Sequence, residues 1–230
     1  MRFPALRAAG LAVAGLTAAG LFAAAMPAQA AGTGSAYGAS ITATVAATVT
    51  TVDTGQLAPT GTSNPDTNSI LGGTSGIPSA LSSILTISGV VESTSAIDAS
   101  NNVTESGGVT NVSSQLLQLN AQVLTANCTA NAAAEPGGLT GSSVITSLTI
   151  GGTKINPTGD VNQTQTIAGV GTIILNEQTT NLMDQSLTVN ALHIKPDGLV
   201  ATGNILLGSV TCGAYLAPPT AAPGGHRGTP

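Results

Sequence analysis

The chain has 230 residues, of which 7% are charged and 2% aromatic, with no Trp and a formal net charge of −5. Five Lys and Arg in all exclude a nucleic-acid binder, which needs a cationic footprint to neutralise phosphates, and disfavour attraction to anionic lipid headgroups. Disorder is equally ill-suited, because it goes with high charge and low hydrophobicity, whereas 42% of this chain is hydrophobic.

In chain order, the first element is an export signal over residues 1–30. Arg2 and Arg7 form a positive start, an uncharged Ala/Leu/Val run follows, and Ala28-Gln29-Ala30 supplies the small-x-small site that signal peptidase cleaves. Cleavage after Ala30 leaves no membrane anchor. It also leaves Lys154, Lys195 and Arg227 against ten acidic residues, a net charge of −7 on the mature chain. Polar surface then has to come from Thr, Ser, Asn and Gln.

Residues 31–214 read as one β-rich extracellular domain. ITATVAATVT alternates Ile41, Ala43, Val45, Ala47 and Val49 against Thr42, Thr44, Thr48 and Thr50, the period of a half-buried strand. Gln56 to Gly76, with Pro59, Pro65 and several Gly, reads as a long loop. Leu81 to Val91 reads as a strand or as a short helix opened by Pro78-Ser79, and the Asp98–Asn102 cluster as a turn. Val109 to Cys128 reads as one long strand or a bent pair, with Leu117, Leu119, Ala121 and Val123 on one face and Cys128 on the other.

SSVITSLTIGGTKI predicts a hairpin turning at Gly151-Gly152. VNQTQTIAGVGTIILNEQ holds a second turn around Gly169 to Gly171, and strands are expected at Ser186–Ile194 and roughly Asn204–Cys212. Turn signals every 8–12 residues or so are the pattern of sandwiches and barrels. The expected fold is all-β, a single antiparallel β-sandwich-like domain. A β-solenoid is the alternative, since both use period-two strands. Residues 215–230 form a Pro/Gly-rich tail expected to be flexible.

Cys128 and Cys212 are the only cysteines. An even count in an exported chain points to a disulfide, which closes a loop of about 84 residues and on chain-entropy grounds adds ~4–5 kcal/mol. Two thiolates without nearby His do not make a zinc site. Asp160 to Thr164 faintly resembles a calcium loop, but Gln165 stands where a Gly is required. Gly169-Val-Gly171 lacks the third glycine of a dinucleotide fingerprint. No cofactor or metal is expected, and the sequons at Asn102, Asn111, Asn127 and Asn162 are read as chance.

Catalytic constellations are sparse. His193 shares parity with Leu187, Val189 and Ala191 and is read as structural, and no G-x-S-x-G elbow supports a Ser–His–Asp system. Glu177 ends the apolar run TIIL and is read as a solvated strand end. These two residues are the best candidates for a hydrolase, and no catalytic residue is assigned.

Several segments occur in a recognisable order: SAYG at Ser35–Gly38, LTANCTA, SLTIGGTKI, GVGTIILNEQ, SLTVNALHI and GSVTCG. Over Ser35 to Gly213 this resembles the actinobacterial choice-of-anchor P family of exported surface proteins. The resemblance implies a secreted or wall-associated protein, implies no catalytic activity, and matches both Cys positions. The chain departs from anchored members, with no LPxTG motif, terminal apolar helix or basic tail.

The expected function is therefore a secreted or cell-surface-associated, non-enzymatic structural or interaction protein, whose partners are cell-wall polymers or other surface proteins. One alternative is an extracellular ligand- or carbohydrate-binding module using loop Asn and Asp residues of Gln56–Gly76. The scarcity of aromatic rings for sugar stacking weighs against it. A second alternative is a hydrolase.

Overall fold

A computed structural model describes residues 33–61, 63–72, 78–131, 138–199 and 201–213. The signal segment with Ala28 and Ala30, and the tail 215–230, lie outside the described residues.

Two antiparallel sheets pack face to face. The first has six strands in the order β11-β12-β13-β14-β1-β2, and the second has eight, β10-β9-β7-β6-β5-β3 with β4 beside β6 and β8 beside β7. The first is built from β1 (Thr33–Val45), β2 (Thr50–Leu57), β11 (Gln163–Ile167), β12 (Gly171–Asn181), β13 (Ser186–Pro196) and β14 (Ala201–Gly213). The second is built from β3 (Asp66–Leu71), β4 (Thr86–Ile87), β5 (Val90–Ile97), β6 (Val103–Ser114), β7 (Leu119–Ala130), β8 (Leu139–Thr146), β9 (Thr149–Ile150) and β10 (Thr153–Lys154). The sandwich is thus the architecture found, and the solenoid alternative falls. No helix among the described residues is long and apolar enough to cross a membrane.

The core is aliphatic, as a chain so poor in rings requires. Ile41, Ile205, Ile194 and Ile173 stand in cross-strand register over four neighbouring strands, all 0% exposed. Ala39, Leu207, Leu192 and Leu175 form the next row and are also buried. Each buried Ile or Leu contributes about 1.5–3 kcal/mol, so rows of this kind replace the large area an aromatic core would bury.

Three hairpins share one turn geometry. Four-residue turns follow Val45, Ser114 and Asn181, and each ends on a left-handed residue: Val49 (φ 52°), Gln118 (φ 46°) and Gln185 (φ 51°). ITATVAATVT is consequently not one strand, because the chain reverses at Ala46–Val49. Likewise Val109–Cys128 is the second half of β6, a turn containing Leu117, and β7. The predicted turns at Asp98–Asn102, Gly151-Gly152 and Gly169–Gly171 are all present. In the first, Asp98 Oδ1 accepts from the N–H groups of Ser100 (2.8 Å) and Asn102 (2.9 Å), an Asx turn.

The expected loop Gln56–Gly76 contains a strand, β3. Its approach is tied down by Asn64, whose side-chain amide donates to Ile97 O and accepts from Ile97 N, both at 2.7 Å. Continuing the β3–β5 register places residue 64 opposite Ile97, so the side-chain amide supplies there the pair of bonds that a ladder would. A 3-10 turn, Ser79–Ser83, precedes β4 and β5, so both readings of Leu81–Val91 apply in succession.

One irregularity organises both sheets. Tyr37 and Ala39 pair with Ser209 and Leu207, whereas Gly38 and Gly208 between them are left out of the ladder. Ala191 and Asn176 are skipped in the same way on β13 and β12. Gly208 (φ 68°) and Asn176 (φ 48°) are left-handed. Two successive residues, such as Ala191 and Leu192, are both 0% exposed, which shifts the in–out alternation by one, as at a bulge. The second sheet repeats this at Asn111 (φ 51°), Gln122 and Ser147 (φ 54°).

The line in the six-stranded sheet meets β6 of the other sheet backbone to backbone at Gly107 and Gly108. A Cβ on Gly107 would lie 2.6 Å from Tyr37 O, one on Gly38 2.6 Å from Gly108 O, and one on Gly208 2.9 Å from Gly107 O. The shift also corrects two readings of parity. Cys128 faces the same core as Leu119 and Ala121, and His193 faces outward, away from Leu187 and Val189.

Candidate functional site

The shift in β13 brings together two residues that lie sixteen positions apart. Asn190 and His193, three apart, both turn to the outer face of the six-stranded sheet, one on each side of the inward-bent line. Their cross-strand partners on β12 are Glu177 and Ile174. Where a sheet bends inward, side chains on its outer surface lean toward one another. That explains why Asn190 and His193 are each only 9% exposed on a face that no further layer of strands covers among the described residues.

Glu177 Oε2 accepts from His193 Nδ1 at 2.8 Å and from Asn190 Nδ2 at 2.7 Å. Lys195 Nζ lies 3.9 Å from Glu177 Oε1. His193 Nε2 contacts Asn204 Oδ1 at 3.0 Å, and Ser209 Oγ donates to Asn190 Oδ1 at 2.6 Å. The hydrogen bond from His193 above all holds the Glu177 carboxyl below the usual carboxylate range. Partial burial opposes this, while Asn190 and the charges of His193 and Lys195 assist.

Both ring nitrogens of His193 are occupied. A cationic ring donates to both oxygens, and a neutral ring keeps both contacts when Asn204 presents its N–H2 instead. Ser209, the hydroxyl of this cluster, is directed to Asn190 and not to the imidazole, so the nucleophile–base contact of acyl-transfer sites is absent from the cluster. Sequence reasoning had separated Glu177 and His193. The signal for their meeting was Asn176, a residue that tolerates left-handed backbone.

A second polar group lies inside the sandwich. Glu105 on β6 is 0% exposed. Ser95 Oγ donates to its Oε1 at 2.7 Å, and its Oε2 has no hydrogen-bond partner. Burial pushes this carboxyl up to about 7, against the Ser95 hydrogen bond. Its register partner across β7 is Cys128. Cys128 and Cys212 form a disulfide, with Cα atoms 5.9 Å apart, which joins β7 of one sheet to β14 of the other. Sequence reasoning found the cysteines and missed Glu105, which lies in VTESGG, a segment without the clear apolar alternation of ITATV.

An open cleft of about 920 Å³ lies between the 3-10 turn and the β6–β7 turn, lined among others by Ser82, Ile84, Ser113, Gln115, Leu116 and Asn120. Its lining is uncharged. None of the residues lining it belongs to Gln56–Gly76.

Among the described residues no group of three or more His, Cys, Asp or Glu is placed to hold a metal. In the calcium-like segment, Asp160 Oδ2 accepts from Thr158 Oγ1 at 2.8 Å. Asn162 clamps the backbone of Gln178, its Oδ1 accepting from Gln178 N at 2.7 Å. These side chains serve the fold locally. No protein-family profile, curated protein or solved structure matches this chain.

Proposed function

We propose that the chain is exported and acts outside the cytoplasm as a non-enzymatic structural or interaction domain. This is the role implied by its resemblance to the choice-of-anchor P family, with cell-wall polymers or other surface proteins as partners. The observation that carries the reading is the buried bridge between Cys128 (1% exposed) and Cys212 (0%). A cross-link between two sheets suits an oxidising compartment and not a reducing cytosol. The closed Glu177–His193–Asn204 cluster supports the non-enzymatic part, since the imidazole has no free nitrogen to offer a substrate.

Fractionation tests this. Full-length chain expressed in a Gram-positive host is separated into medium, wall, membrane and cytosol, and its N-terminus is sequenced. Recovery from medium or wall with Ala31 at the N-terminus is expected. Full-length protein confined to the cytosol with both thiols alkylatable rejects the reading.

One observation favours a second reading, a module for neutral hydroxyl-rich ligands. It is the uncharged cleft beside the β6–β7 turn, where Gln115 and Asn120 carry exposed carboxamides. Binding to peptidoglycan or a glycan array that is abolished by Asn120→Ala supports it. Unchanged binding by the variant removes the cleft from consideration.

A further inference from the structure

We propose that Glu105 is the internal proton acceptor for closing the Cys128–Cys212 bridge. Glu105 and Cys128 stand directly opposite each other on β6 and β7, a pairing that sets Cβ atoms about 5 Å apart. Facing them on β1 is Gly34, the register partner of Cys212. A Cβ at Gly34 would lie 1.8 Å from Glu105 Oε1 and 2.6 Å from its Cδ, so the bare glycine makes the space the carboxyl fills. One oxygen is held by Ser95. The other, Oε2, is buried and unpartnered, which in a folded protein asks for an explanation. In the reduced chain the adjacent thiol gives it one.

Both cysteines lie near strand ends, Cys212 one residue from the end of β14 and Cys128 two from the end of β7, and each is flanked by strands on both sides. Opening of the β14 end exposes the Cys212 sulfur to solvent and leaves Cys128 beside Glu105. With a small-molecule disulfide RSSR as oxidant, the Cys212 thiolate attacks one sulfur, forming Cys212–S–S–R. The released RS⁻ takes a proton from water to become RSH. When the strand end settles back, the Cys128 thiol proton passes to Glu105 Oε2 as the Cys128 sulfur attacks the Cys212 sulfur. The second RS⁻ leaves and is protonated to RSH. Two electrons pass from the cysteine sulfurs to the oxidant, two thiols of R are formed, and Glu105 returns its proton to solvent at the next opening.

The elements around Glu105 present Ser95 from β5, Cys128 from β7 and Gly34 from β1, and no charged side chain shifts its titration. A carboxyl titrating near neutrality is matched to general-base work at that pH.

The test is closure of the reduced full-length chain by oxidised glutathione, followed by acid quenching and mass analysis from pH 5 to 9. Wild type is expected to level off near pH 7. Glu105→Gln is expected to close roughly 100-fold more slowly at pH 7, with its rate still rising toward thiol ionisation above pH 8. Glu105→Asp should recover part of the loss. Equal rates for wild type and Glu105→Gln overturn the proposal, and that is also the result if the dithiol chain is unfolded. Should Glu105→Gln not fold, the wild-type profile decides alone. A rate that rises only above pH 8 overturns the proposal.

Discussion

Glu177 Oε2 lies 2.8 Å from His193 Nδ1, although Glu177 pairs with Asn190 and His193 with Ile174 in the β12–β13 ladder. The diagonal contact exists because the sheet bends inward between the two pairs. Glu177→Ala removes the common acceptor of His193 and Asn190 and leaves two partly buried donors unmatched. A loss of about 1–2 kcal/mol is expected, at the lower end because the Glu177 side chain keeps 17% exposure. Urea unfolding at pH 7 measures it. Glu177→Gln, which keeps an acceptor oxygen, should lose less.

The same contact sets an acid limb. The folded Glu177 carboxyl titrates below its ordinary 4.5, so the unfolded chain binds more protons in that interval. Stability from this group is complete above 4.5 and is lost as pH falls through the folded value. A stability–pH curve for Glu177→Gln should be flatter below pH 4.5 than that of wild type.

Glu105 acts in the opposite sense. Its folded carboxyl is raised from 4.5 to about 7 by burial, so between those values the folded chain binds more protons than the unfolded one. Stability is therefore highest below 4.5, falls as pH rises toward 7, and stays low above it. A shift of this size corresponds to a change on the order of 3 kcal/mol. Wild type should be more resistant to urea at pH 5 than at pH 8, and Glu105→Gln should show little difference between the two. A wild-type curve flat between pH 5 and 8 contradicts this.

Much of this fold was legible because most strands are bounded by residues with turn chemistry. Ser186–Ile194 alternates between Asp184 and Pro196, and Gly151-Gly152 marks its hairpin. What stayed hidden was every change of parity. Period-two reading places His193 with Leu187 and Val189, and only the doubled inward pair Ala191–Leu192 puts it on the other face. Asn176, Gly208 and Asn111 tolerate the left-handed backbone that the shift needs, but Asn and Gly occur throughout this chain and did not single these positions out. Glu105 was missed because a buried acid in a strand looks, in sequence, like an exposed one.

The β1–β2 turn was hidden for another reason, since it ends on the residue least suited to its backbone. Val49 has φ 52°, a conformation in which a β-branched side chain is an outlier, and it is 81% exposed, so no packing compensates. Gln118 and Gln185 hold the same place in the sister turns. Val49→Asn should raise stability by about 1 kcal/mol, read as a higher urea midpoint with an unchanged slope. Gln185→Asn, at an unbranched residue, should gain less. A Val49→Asn midpoint at or below wild type would count against strain at this turn.

Gly107 tests the inward bend itself. A Cβ added there meets Tyr37 O at 2.6 Å and Ser209 O at 2.9 Å, both backbone atoms that cannot turn aside as a side chain can. Gly107→Ala must push β1 and β14 away from β6, and overpacking of this kind costs about 1–3 kcal/mol or more. The displaced Ser209 carries its hydroxyl away from Asn190 Oδ1, now 2.6 Å distant, and so loosens the grip of Asn190 and His193 on Glu177. Gly107→Ala should therefore lower overall stability and also weaken the acid limb assigned to Glu177. Gly159→Ala, at a site with no atom within 4 Å of the added Cβ, pays only for its positive φ and should leave that limb unchanged. Equal acid limbs in wild type and Gly107→Ala would show that the outer cluster does not depend on the contact between the sheets.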